Sequence, residues 1–135
     1  MAKVARIVAT EDFERWLQYK KINDRVRQEN IQFEEKIIDA IEDGILIIND
    51  DLKMEFSLQF PINNDDSTVA LDKLIFKPRI TVQQLNVKLK PVKPGDTEGM
   101  KIAYIAALTD QNSGMIAKLF TEDSTICQAI CMYFL

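Results

Sequence analysis

The sequence predicts a mixed α+β protein: a long N-terminal helix, a small antiparallel sheet of about three strands, and a helical C-terminal third. Three observations carry this. No proline or glycine interrupts Thr10 to Asp43, where apolar residues recur at helical spacing. Met54, Phe56, Leu58 and Phe60 alternate with Lys53, Glu55, Ser57 and Gln59, the period-two signature of a half-buried strand. Beyond Gly95 the spacing turns helical again, with capping residues at each boundary.

Thr10 is placed to cap the first helix, with Glu11 and Asp12 in the first turn, where negative charge suits the helix dipole. Phe13, Leu17, Ile22, Val26, Phe33, Ile37 and Ile41 mark its apolar stripe, and Gly44 ends it. A single helix of that length would span ~45 Å, more than a small sheet covers. Two forms follow. Either the helix breaks near Asn23-Asp24 or Gln28 to Asn30 and folds back, or its N-terminal half projects and packs on another subunit through Trp16 and Tyr19.

Ile45 to Ile48 is an apolar run of strand length, Asn49-Asp50-Asp51 a turn, and Leu52 to Phe60 the alternating strand, which Pro61 is expected to end. After the polar turn Asn63 to Ser67, a third strand runs from Val69 to Phe76 before Lys77-Pro78. Short polar connections favour an antiparallel meander. Thr81 and Gln84 form a capping box for a short helix carrying Val82, Leu85 and Leu89. Two prolines and a glycine between Lys90 and Gly95 exclude regular structure there. Asp96 or Thr97, Ser113 and Thr121 then open three helices. The resulting organisation is an N-terminal helical extension over residues 1–44 and a single α+β domain over residues 45–135. Within the latter the sheet occupies 45–78, the linker 90–96 and the helices 97–135.

At 135 residues with 47% hydrophobic and 28% charged side chains, the chain suits one folded domain. Its 17 basic and 21 acidic residues give a net charge of −4, and no face reads as basic, which disfavours a nucleic-acid partner. The basic tip from Met1 to Arg6 lacks the apolar core of a signal peptide, and no run approaches the ~20 residues that span a bilayer. The expected location is the cytosol of the cell that makes it.

Catalytic chemistry has few candidates. The chain contains no histidine, so a base would have to be a carboxylate or a lysine. Asp50-Asp51, Asp65-Asp66 and Glu122-Asp123 are explained as turn and helix-start residues, without the spacing of a calcium loop. Cys127 and Cys131 lie one helical turn apart and read as buried hydrophobes, since a zinc site would lack half its ligands. Gly44, Gly95, Gly99 and Gly114 stand singly and build no phosphate loop. No enzyme activity, cofactor or metal is expected.

Phe60-Pro61-Ile62, the returning Leu74-Ile75-Phe76-Lys77-Pro78-Arg79 and Thr81-Val82-Gln83-Gln84-Leu85 resemble the front half of small tail assembly chaperones of contractile-tailed phages. Ala106-Ala107-Leu108-Thr109, Ile116, Leu119, Asp123, Ile126 and Phe134-Leu135 resemble that family's helical tail. The likeness covers about Phe56 to Leu135; the extension over residues 1–44 and Gln84, where an aspartate is common, depart from it. The resemblance implies a non-catalytic protein of the host cytoplasm that binds the tape measure protein, a long helical polypeptide, and keeps it soluble until the tail tube polymerises. The N-terminal extension would also suit a structural or assembly component of the baseplate hub, found in the virion, which is the alternative reading. Either way the partner is another tail protein. The expected contacts are Ile116, Leu119 and Phe120 with Ile126, Ile130 and Phe134, which would offer a groove to an amphipathic helix. Trp16 and Tyr19 would serve self-association. Each of the eight also has a plain reading as core.

Overall fold

The apolar run from Thr10 to Asp43 folds as helices that double back. In the computed structural model, which describes residues 3–134, α1 (Arg6–Lys20) ends at Lys21, whose φ of 58° is left-handed and turns its N–H back to Gln18 O. Asn23 caps α2 (Asp24–Glu29) by accepting from the Val26 N–H, and α3 (Ile31–Glu42) follows after Asn30. The chain therefore breaks at both places where the sequence permits it. Of the two expected forms, the fold-back is the one adopted.

Thr10 is not the cap. It lies inside α1, its hydroxyl donating to Arg6 O, and Ala5 holds the N-cap position. The additional turn places Ala9 beside Phe13 in the core, both fully buried, and lets Arg6 reach Glu35, Asp39 and Glu42 on α3. At the other end of this pair of helices Arg27 bridges Glu14 on α1 and the buried Glu34 on α3, which holds the guanidinium firmly protonated.

Gly44 closes α3 with a φ of 80°, and the chain enters a meander of β1 (Leu46–Ile48), β2 (Met54–Asn63) and β3 (Val69–Phe76) in antiparallel order β1-β2-β3. Leu46 stands opposite Phe56 and Phe56 opposite Leu74; Ile48 opposes Met54 and Met54 opposes Phe76. These six side chains form the buried face. The intervening set, Ile47, Glu55 and Ile75, faces outward, with Ile47 and Ile75 about half exposed.

The expected end of the second strand at Pro61 needs correction, because β2 continues to Asn63. Pairing is regular up to Ser57–Lys73 and resumes at Ile62–Leu71, so β2 uses more residues than β3 across that stretch and bulges. Pro61, which has no N–H, sits inside the bulge, where no ladder bond is required of it. The bulge also breaks the alternation: Met54, Phe56 and Leu58 are buried, but Phe60 is 46% exposed.

Helices α4 (Val82–Leu89), α5 (Thr97–Thr109), α6 (Ser113–Ile116) and α7 (Thr121–Cys131) complete the chain. Thr81 and Gln84 form the expected capping box, and Asp96 caps α5 by accepting from the Gly99 N–H. Ser113 starts α6 as expected, with Asn112 as its cap, whereas Thr121 is not a cap but the first helical residue of α7, with Phe120 at the N-cap position.

Helices α1, α3 and α7 cover the inner face of the sheet, while α5 packs against β3 and receives the Lys77 N–H at Leu108 O, 2.9 Å. Phe13 stacks on Trp16, and both meet Tyr133 edge-on. The N-terminal helices and the end of α7 thus share one core with the sheet. Between Thr81 and Met100 no residue is buried: α4 packs chiefly on α5 and forms an arm on the body. Met1, Ala2 and Leu135, the last belonging to the Phe134-Leu135 ending, lie outside the described residues.

Candidate functional site

Helices α3, α5 and α7 leave an apolar groove of about 390 Å³ between them. Its walls are Phe33 from α3, Met100, Tyr104 and Ile105 from α5, and Cys131 and Met132 at the end of α7. Met100 and Tyr104 lie four apart on α5, so their side chains share a helix face. Met100 is 43% exposed at the mouth, whereas Ile105 belongs to the buried floor. Lys101 and Gln128 supply the polar edge. A wall of methionines and one tyrosine can adapt to apolar side chains of varied shape and still offer a hydroxyl for orientation.

The eight residues expected to contact a partner are scattered by the fold. Trp16, Ile116 and Ile130 are buried, which corrects their reading as contacts. Trp16 is held by Phe13, Tyr133 and Phe134, because the fold-back of α1 brings it under the C-terminus rather than out to another subunit. Ile130 faces inward with Cys127 and Cys131, and Ile116 is anchored by the turn of α6. Leu119, Ile126 and Phe134 pack partly buried against the core. Tyr19 and Phe120 remain exposed, at 40% and 54%. Tyr19 lies under the Arg79 guanidinium, 4.5 Å from its ring, and Phe120 pairs with Phe60 at 6.0 Å.

Phe33, Met100, Tyr104 and Met132 were not among those eight. A signal for them was present: Met100 and Tyr104, and Gln128 and Met132, repeat at four-residue spacing on two helices whose opposite faces supply core residues. What the sequence could not provide was the approach of Phe33 from a helix far upstream.

Asp123, Cys127, Cys131 and Asp66 are each engaged structurally. Asp123 is fully buried and accepts from the Gln59 and Phe60 N–H groups, both at 3.0 Å, one on each carboxylate oxygen. It supplies the bonds that the bulged β2 does not make to β3. Burial pushes the Cys131 thiol up to about 12 and raises Cys127 well above the usual thiol range, with the neighbouring thiol and Asp123 adding to the latter. Both therefore remain protonated and poorly nucleophilic. Asp66 is held below the usual carboxylate range by the hydroxyl and N–H of Thr68, as a turn residue. Among the described residues no three histidine, cysteine, aspartate or glutamate side chains come together to hold a metal ion. No helix among them is long and apolar enough to cross a membrane.

The chain matches no family model, no curated protein and no solved structure.

Proposed function

We propose that this protein is a non-catalytic tail morphogenesis factor of a bacteriophage, a tail assembly chaperone that acts in the host cytoplasm. In this reading it holds an amphipathic helix of the tape measure protein until the tube polymerises around it. The groove of Phe33, Met100, Tyr104 and Met132 is the observation that carries the reading. A trough between helices, apolar at its floor and adaptable at its walls, suits a helix presenting anchors at i, i+3, i+4 and i+7. The motif resemblance from Phe60 through Arg79 and from Ala106 through Phe134 supports the class of partner. The engaged state of Asp123, Cys127 and Cys131 supports a binding role over a chemical one.

The test is co-expression of the full chain with the tape measure protein of the same phage genome, followed by purification of the complex. A soluble complex that Met100→Asp disrupts at least tenfold, with the circular dichroism of the free chain unchanged, supports the proposal; Met100 lies at the groove mouth, so the fold tolerates the charge. A tape measure protein that stays insoluble beside a folded chain overturns it. Recovery only with short hub proteins would assign the chain to the baseplate hub instead.

A further inference from the structure

The arm from Thr81 to Gly95, ahead of α5, differs chemically from the body that carries it. Val82 and Val87 on α4 are 75% and 66% exposed. Between Lys73 and Gly95 the chain places six of its 17 basic residues and none of its 21 acidic ones, so the charge that reads as evenly spread is divided between two regions. Lys73 and Lys77 pair with Glu55 and Asp110, and Arg79 rests on Tyr19. Lys88, Lys90 and Lys93 have no ion pair among the described residues. The arm therefore presents apolar and basic groups together without a partner.

A matching surface lies on the body. A shallow cleft of about 350 Å³ between α3, β2 and the start of α7 has Ala40, Ile45 and Ile126 among its lining and Asp39, Asp43 and Glu122 as its acids. Lys36 is the single base there. One residue beyond the lining Gln59 and two before the lining Glu122, the exposed Phe60 and Phe120 rest on each other. The three acids are exposed, Asp39 already pairing with Arg6, and the aromatic pair beside them is of the kind enriched at protein interfaces.

We propose that the arm of one copy docks on this cleft of a second copy. The same chain supplies both halves, a basic apolar arm and an acidic apolar cleft, and charge complementarity fixes which surface meets which. Each copy uses its arm on one neighbour and its cleft on another, so the contact is head-to-tail and generates a ring or a filament rather than a two-fold dimer. This association is distinct from self-association through Trp16, which the core has consumed. It does not depend on what occupies the groove at Phe33, whose residues lie elsewhere.

Sedimentation of the full chain tests it. At about 0.01 M salt the mass should rise with concentration above the 15.5 kDa monomer, and at about 0.5 M salt it should return to it. The arm variant K88E/K90E/K93E should associate at least about tenfold more weakly, as should the cleft variant D43K/E122K, because each reverses exposed charges at the contact. Mixed together, the two variants should associate again, which a folding defect in either would not allow. A chain monomeric at low salt at every concentration overturns the proposal. So does an oligomer indifferent to both variants, a mixture that stays monomeric, or an arm engaged only by added RNA or by a different acidic protein.

Discussion

Phe56 and Val82 are both apolar residues within regular structure, yet one is sealed in the sheet and the other stands 75% exposed on the arm. The body around Phe56 is ordered by burial, from Ala9 and Phe13 through Leu74 to Ile130, and, among the described residues, every buried side-chain nitrogen or oxygen has a hydrogen-bond partner. The arm around Val82 is ordered by local devices: the Thr81–Gln84 capping box, the Pro91 to Gly95 turn and packing on α5. The difference teaches where each kind of residue acts. In the body, side chains are fixed by partners distant in sequence; in the arm they keep their local conformation and leave their outer surface unsatisfied. The arm therefore belongs to the low-stability end of the molecule.

Substitutions separate the two regions by the size of their effects. Phe56→Asp places an uncompensated charge in the centre of the sheet and should abolish cooperative folding, read as loss of the thermal transition by circular dichroism. Asp123→Ala leaves the buried N–H groups of Gln59 and Phe60 without acceptors and should cost about 2–3 kcal/mol in denaturant unfolding, with faster hydrogen exchange at those two amides. Unchanged exchange there would mean that water replaces the carboxylate and that the bulge is not held from α7.

The thiols give the body a pH dependence that the arm lacks. Their folded-state pKa values lie above those of the unfolded chain, so the unfolded state releases protons first, and stability is fully present below the ordinary thiol pKa. Between about pH 8.5 and 10 each thiol should lower stability with a slope approaching about 1.4 kcal/mol per pH unit, while Lys20, which burial lowers to about 8, contributes the opposite slope over the same window. A variant carrying Cys127→Ala and Cys131→Ala should lose the downward contribution in thermal scans. Smaller still, Thr81→Ala should cost about 1 kcal/mol of local order in α4, seen as faster exchange there, while global unfolding shifts by less than about 0.5 kcal/mol. A full 1 kcal/mol in the global transition would show that the arm folds with the body. Asp65→Ala, in the exposed hairpin turn, should be near neutral in the same assay.

Local chemistry made much of this fold legible. The Met54 to Leu58 alternation, the Asn23 break, Gly44, the Thr81–Gln84 box and the Pro91 to Gly95 turn each act through neighbours in sequence, and each appears where the residues place it. Phe60 did not, because its orientation is decided by a carboxylate 63 residues away that draws the β2 backbone into a bulge. Asp123 itself reads as an ordinary first-turn acid of α7, and only its burial against β2 gives it a second task. The same limit applies to the groove. Spacing marks Met100 and Tyr104 as one face, but not which helices rise beside it.

The two-pronged grip of Asp123 on β2 also bears on how the protein behaves when crowded. Bare strand amides invite a foreign strand to zip onto them, the first step toward fibrils. Around Phe60, an exposed aromatic would make such an invitation sticky. With both N–H groups occupied and Pro61 offering none, this stretch has no open amide to donate across that span, so solubility at high concentration is written into one side chain.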